Sequence, residues 1–338
     1  MLRAFFGECV KIMILVTGAC GFIGRHLIQT LKARTPDMRI RGFDLVQPEP
    51  GILPDDVSVF CGSLEQTNLL SRAVRDADAV VHLAAKVEPD SRELQHMRQV
   101  NVVGAQNVYA AAVASGCRLF VHMSSSGVYG PPRSGGPFRE TDPHKPTTPY
   151  QVTKSEAEQA LCQMEPKHTQ LNILRPTGIH GAGRLAQIGA YRKVLTRKWS
   201  VELAGDVIIH PAHVRDVVEA IIAILGRPAP HQTAFNVGGE RPIRLQEFYA
   251  LVAEMFGVRR RRVVLPRSVA GPLADLTAPI CSLMGRPKPL LAEMSRGYVF
   301  TGAVDDSRFR KGYPGVPVVT LADGVREHIE WARARGLI

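Results

Sequence analysis

The stretch Ile14-Leu15-Val16-Thr17-Gly18-Ala19-Cys20-Gly21-Phe22-Ile23-Gly24-Arg25-His26-Leu27 limits what this chain can fold into more than any other. The apolar run Ile12–Val16 reads as a buried strand. Glycines follow at Gly18, Gly21 and Gly24, and the amphipathic run from Phe22 onwards reads as a helix. Strand, glycine turn and helix together form a corner that suits a dinucleotide. Gly18 allows the tight turn, Gly21 lets the backbone approach a pyrophosphate, and Gly24 lets helix pack on strand. The spacing is Gly-x-x-Gly-x-x-Gly, and three glycines alone would be weak evidence. Their place between a strand and a helix carries the inference, because a helix start offers free N–H groups and a partial positive charge to phosphates.

Beyond the corner, strand and helix alternate. Strands are expected at Ile12–Val16, Arg39–Phe43, Val57–Phe60, Ala79–Leu83, Leu119–Met123 and Leu171–Leu174. Helices are expected at Phe22–Arg34, Gln66–Arg75, an arm from Arg92 to Ser115, and Gln151–Gln163, then at Val214–Leu225, Leu245–Phe256 and Leu321–Ala334. This alternation predicts an α/β fold, a Rossmann-type doubly wound parallel sheet covered on both faces, with a smaller C-terminal substrate-binding lobe. The expected division is a tail at 1–11, a nucleotide-binding domain at 12–175, and a lobe at 176–338 with elements around 201–237 returning to the core.

The 338 residues are enough for one such domain with an appended lobe. No apolar run approaches the ~20 residues of a membrane helix. Cys9, Cys20, Cys61, Cys117, Cys162 and Cys281 are scattered, with no C-x-x-C pair and no histidine cluster at metal spacing. Reduced thiols in a cytoplasmic protein without a metal are expected. The net charge of +11 suggests attraction to anions. The run Arg259-Arg260-Arg261-Arg262 reads first as a solvated turn, with an anionic membrane surface or acidic partner as the sharper alternative. Nucleic acid is disfavoured, since no aromatic interleaving accompanies the charge.

Asp44 ends the second strand. A carboxylate there can accept from adenosine ribose hydroxyls and repel a 2′-phosphate, which favours NAD over NADP. A plain turn aspartate is the alternative. After the third strand comes Cys61-Gly62-Ser63-Leu64, and Val80-Val81-His82-Leu83-Ala84-Ala85 closes the fourth. Small residues there leave room for a cofactor, and His82 reads as structural. Val121-His122-Met123-Ser124-Ser125-Ser126-Gly127-Val128-Tyr129-Gly130 then runs from a strand into a hydroxyl-rich loop. Tyr150 and Lys154 follow at i and i+4 and share a helix face. An ammonium beside a phenol is expected to lower its pKa. Such a tyrosine can pass a proton to or from a carbonyl or alcohol oxygen while hydride moves on a nicotinamide.

With these motifs in this order, the chain resembles the extended short-chain dehydrogenase/reductase, or NAD-dependent epimerase/dehydratase, family from Ile12 to Trp331. The resemblance rests on the glycine corner, Asp44, His82-Leu83-Ala84-Ala85, Asn101, the serine loop, Tyr150/Lys154, Arg175-Pro176 and His213-Val214-Arg215-Asp216. It implies Ser125 as the catalytic hydroxyl, Tyr150 as acid/base, Lys154 on the nicotinamide ribose, and Asn101 positioning the active-site helices. It implies NAD contacts at Gly18, Gly21, Phe22, Ile23, Gly24, Asp44, Ser63, Leu64, Leu83, Ala84, Ala85, Tyr150, Lys154 and Pro176. Ser63 stands where the family usually has an aspartate that contacts adenine. A homodimer through the helices carrying Asn101 and Tyr150 is also implied.

Nucleotide-sugar members usually carry an asparagine at the position of Gly178 and often an arginine at that of Ile209. Ser126-Gly127 replace the acid pair of the 4,6-dehydratases. Leu265-Pro266-Arg267, the apolar stretch Val269–Leu283, Asp305-Asp306-Ser307-Arg308 and Gly312-Tyr313-Pro314 look instead like the hydroxysteroid dehydrogenase and dihydroflavonol reductase branch. The expected activity is therefore alcohol/ketone interconversion on a small apolar or polycyclic molecule. Two alternatives stay open. One is a nucleotide-sugar epimerase or reductase in which Arg184, Arg192 and Lys193 replace the missing phosphate contacts. The other is a non-catalytic NAD-binding protein.

Overall fold

The computed structural model describes residues 12–87, 91–131, 136–189, 191–192, 199–203, 207–259, 261–265 and 302–338. The 1–11 tail, Lys193, Arg260, Pro266, Arg267 and the apolar stretch Val269–Leu283 lie outside the described residues.

Seven strands form the central sheet: β1 (Met13–Thr17), β2 (Arg39–Asp44), β3 (Ser58–Cys61), β4 (Ala79–His82), β5 (Leu119–Met123), β6 (Gln170–Pro176) and β7 (Thr233–Val237). Their order is β7-β6-β5-β4-β1-β2-β3, and every neighbouring pair is parallel. The order reverses between β1 and β4, and such a switch point opens a crevice at the carboxyl ends of the strands.

The strands read as continuous apolar runs because both faces are buried. Successive side chains of β1 go to opposite layers. Ile14 and Val16 join one core with Leu27, Ile28 and Leu31 of α1 (Phe22–Arg34). Met13 and Leu15 join the other, with Leu70 of α2 (Thr67–Val74) and Val108 of α3 (Gly104–Ala114). The second layer is completed by Leu161 of α4 (Pro149–Gln163), and the first by Val217 and Ile221 of α5 (Val214–Gly226). A third cluster, in the C-terminal lobe, packs Val252 of α6 (Leu245–Met255) against Val325 and Ile329 of α7 (Leu321–Ala334).

Three departures from the expected elements have physical causes. The arm expected at Arg92–Ser115 is one continuous helical run, but it is not α-helical throughout. A short helix, Leu94–Arg98, passes into a π-turn at Gln99–Val103 before α3 begins. α4 starts two residues early because Thr148 and Gln151 form a capping box and Pro149 occupies the first turn. Trp199–Leu203 does not enter the central sheet; it pairs in parallel with Arg261–Leu265, so Arg261 and Arg262 belong to a strand rather than a solvated turn.

Candidate functional site

The glycine corner lies at the switch point. Gly18 has φ +69°, and a Cβ there would come within 2.8 Å of the Ala84 backbone nitrogen. Only glycine therefore lets β1 and the end of β4 approach this closely. Gly18 N–H donates to Phe43 O at 2.8 Å and Gly21 N–H to Gly18 O at 3.0 Å, which closes the turn. Gly21 caps α1 without a side-chain bond, and the first turn of α1 carries no acidic residue. The helix start keeps its N–H groups for an anion. These features fit a dinucleotide pyrophosphate.

Asp44 braces this loop. Its carboxylate accepts from Cys20 N–H at 2.9 Å and from Leu45 N–H at 2.7 Å. Burial, with Asp44 next in weight, pushes the Cys20 thiol up to about 11, so it stays protonated. Ser63 Oγ accepts from Glu65 N–H at 3.2 Å, and the carbonyl of buried Leu64 accepts from Asn107 at 3.0 Å. Leu83 N–H donates to Thr17 O at 3.1 Å and Ala84 N–H to Thr17 Oγ1 at 3.3 Å. Phe22, Ile23, Leu83, Ala84 and Ala85 are all half-buried along this crevice. His82 is structural: it is buried, Thr17 Oγ1 lies 2.7 Å from its Nδ1, and its ring stacks on His122 at 5.5 Å. Burial holds it down at about 3, hence neutral.

Asn101 sits inside the π-turn, a device that often marks functional sites. Its Oδ1 accepts from Lys86 N–H at 2.8 Å, and its amide donates to Lys86 O and to Thr153 Oγ1, each at 3.0 Å. Thr153 in turn donates to Tyr150 O at 2.9 Å. One buried side chain thus ties the end of β4 to the helix carrying Tyr150 and Lys154.

The three serines after β5 divide by environment. Ser124 is buried and donates to Glu158, and Ser126 is buried. Ser125 caps the short turn Ser126–Tyr129, accepts from Gly127 N–H at 3.0 Å, and is the one of the three that is half-buried. Gly127 packs on Gln151, which places this turn against the start of α4. Lys154 is buried, and desolvation lowers it to about 8 against the opposing pull of Glu158.

The tyrosine corrects the sequence expectation. The surrounding protein pushes the Tyr150 phenol up to about 12 instead of down, although the side chain keeps some solvent contact. Desolvation outweighs any nearby charge, and the opposing cation is Arg184, not Lys154. Lys154 is itself driven towards neutrality by the same burial.

Glu158 was not singled out by sequence, and Arg184 only as a substrate-phosphate contact in the nucleotide-sugar alternative. Glu158 lies two helical turns beyond Tyr150, buried with Arg175. Arg175 Nε donates to its carboxylate at 3.0 Å and Nη2 at 2.6 Å. Arg175 Nη1 also donates to Tyr129 OH at 2.8 Å, and Tyr129 OH donates to Asn236 Oδ1 at 2.7 Å. Ser125 is therefore suspended between Ser124 and Tyr129, both bonded into one buried hub. Pro176, buried at the end of β6, follows directly from Arg175. Of the other basic residues weighed, Arg192 donates to Leu337 O at 2.7 Å, in the C-terminal lobe. Among the described residues no group of His, Cys, Asp or Glu side chains is arranged to hold a metal, and no helix is long and apolar enough to cross a membrane.

A doubly wound sheet with this corner and a Ser-Tyr-Lys set defines a dinucleotide-dependent enzyme. The sequence profile of the NAD dependent epimerase/dehydratase family matches residues 14–238, and the chain belongs to that family. It is similar to human 3 beta-hydroxysteroid dehydrogenase type 7, at 29% identity over 97% of both chains. It is also similar to N-acetyl-alpha-D-glucosaminyl-diphospho-ditrans,octacis-undecaprenol 4-epimerase of Escherichia coli O157:H7, at 27% identity over 75% of each. The solved structure of MoeE5 in complex with UDP-glucuronic acid and NAD shares the fold. Its TM-score is 0.73 at 24% identity, covering 95% of this chain and 99% of that one.

Proposed function

We propose that this protein is an NAD-dependent oxidoreductase that interconverts a secondary alcohol and a ketone on a small apolar or polycyclic substrate. The observation that carries the reading is the placement of Tyr150 and Lys154 on α4 against the turn that begins at Ser125. Ser125 Oγ donates to the substrate oxygen. Tyr150 gives a proton to a carbonyl or takes one from an alcohol. Lys154 holds the nicotinamide ribose and Asn101 fixes the helix. Gly18, Gly21, Phe22, Ile23, Gly24, Asp44, Ser63, Leu64, Leu83, Ala84, Ala85 and Pro176 line the cofactor crevice, with Asp44 selecting NAD over NADP. NAD supplies the hydride acceptor or donor. Residues from 176 onward form most of the substrate lobe. A cytoplasmic homodimer completes the reading; the free cysteines at 20, 61, 117 and 162 support the compartment alone.

The full-length similarity to a hydroxysteroid dehydrogenase supports the apolar substrate. So does Gly178, which is exposed with open space where a side chain would project. The similarity to a sugar 4-epimerase favours a second reading, a nucleotide-sugar enzyme that recycles its hydride. Calorimetric titration of the NAD-loaded protein with UDP, GDP and dTDP separates the two. No binding, with NADH oxidation by steroid-like or flavonoid-like ketones, is the expected result. Tight binding of one nucleotide would move the assignment to the second reading.

A further inference from the structure

We propose that Arg184 is the charged arm of the cofactor site, its guanidinium closing on the pyrophosphate of the bound dinucleotide. The inference rests on the NAD reading above and adds a residue to it. Arg184 belongs to a loop, Gly181–Arg184, that follows the short strand Ile179–His180 and is pinned to the first turns of α1. Arg25 Nη2 donates to Gly183 O at 2.8 Å, and His26 Nε2 lies 2.9 Å from Ala182 O. Gly181 and Gly183 have φ of +137° and +94°, conformations that side chains rarely adopt. Arg184 N–H donates back to Gly181 O at 3.1 Å. The loop is therefore fixed, and so is the root of the arginine.

The guanidinium lies over the Phe22 ring, 5.6 Å from its centroid. Phe22 is the first residue of α1, so the cation stands at the helix start. Arg25, over the same ring at 6.0 Å, is committed to Gly183. Arg184 is half-buried, and among the described residues no carboxylate pairs with its guanidinium. A cation beside the positive end of a helix is electrostatically unfavourable on its own. A doubly charged pyrophosphate between them reverses the sign, and a planar guanidinium can donate to two of its oxygens. The same cation also pulls on the Tyr150 phenol, so its charge reaches both the helix start and the tyrosine. A phosphate between those two points is the feature of NAD that matches.

The test is calorimetric titration of wild type, R184A and R184K with NAD, ADP and adenosine. Loss of a charged hydrogen-bond donor should weaken NAD and ADP about ten- to hundred-fold in R184A. R184K should fall between, and adenosine, which lacks the pyrophosphate, should bind all three proteins alike. Adenosine binding also shows that the variant crevice is folded. Wild-type affinity of R184A for NAD and ADP would overturn the inference and leave the NAD reading intact. Equal weakening of adenosine would overturn it too. Failure of the wild type itself to bind NAD would overturn both.

Discussion

Tyr150 keeps its proton at neutral pH because the protein packed around its ring disfavours a phenolate. The protonated form is the one that gives a proton to a ketone, so from pH 6 to 8 any change in the reduction rate should come from Lys154, lowered to about 8, and not from the tyrosine. Alcohol oxidation needs the phenolate, and its folded-state pKa of about 12 lies above the working range. The oxidation rate should therefore climb by up to about ten-fold per pH unit from pH 7 to 9. Steady-state rates in both directions check this, and a pH-independent oxidation rate would contradict it. Glu158 makes a second residue-scale case. It is buried with Arg175, and Glu158→Gln would strand that arginine's charge. The expected loss is about 3–5 kcal/mol in urea unfolding. A loss below ~1 kcal/mol would show that the hub does not hold the Ser125 turn. The spacing of Tyr150 and Lys154 was legible in the sequence, but the direction of the tyrosine's shift was not. A spacing reveals a shared face, whereas the pKa depends on how much protein surrounds it.

Elements were most legible where a local rule acts alone. α1 and α7 begin and end where their residue patterns place them, at Phe22–Arg34 and Leu321–Ala334. β1 was plain because an apolar run buried on both faces and ended by Gly18 has few other fates. β7 was legible only as part of a segment expected to return to the core, because Thr233–Val237 is short and is selected by pairing with β6. The π-turn at Asn101 was hidden, since the side chain it presents bonds to Lys86, a partner that no sequence period records. At this scale the capping box of α4 is open to test. Thr148→Ala removes the acceptor for Gln151 N–H and should cost about 1 kcal/mol. Because that cap begins the helix just before Lys154, fraying should also raise amide exchange at Gln151 and Val152, whose N–H groups donate to Thr148. Unchanged exchange at those two amides would separate the cap from the site.

The whole molecule buries an unusual set of neutral imidazoles. Burial holds His82 and His213 down at about 3, His180 and His328 at about 4, and His122 well below its ordinary value. His180, His213 and His328 gather where the short strand Ile179–His180, α5 and α7 meet, with the His180 and His213 rings 5.1 Å apart. Arg215 adds positive charge there, and Glu327 Oε1 stands 3.8 Å from His213 Nε2. The unfolded chain binds protons on these rings near pH 6.5, and the native state refuses them. Their contribution is intact above pH 6.5 and is lost as pH falls towards 4, by up to about 1.4 kcal/mol per histidine per unit. Asp216, pushed up to about 6 by burial, works in the opposite sense and offsets part of the loss between pH 6 and 4. The urea midpoint should therefore fall steeply between pH 7 and 5, and a constant midpoint would contradict the buried, neutral assignment.

The central claim is that Tyr150 passes the proton while the glycine corner holds NAD. Tyr150→Phe keeps the ring and removes the hydroxyl, so it isolates the proton step from packing. The direct measurement pairs NAD affinity by calorimetry with hydride transfer from NADH to a substrate ketone, for wild type and Tyr150→Phe. The account predicts unchanged NAD affinity and a loss of turnover of about 100-fold or more. Turnover retained within a few-fold would contradict it.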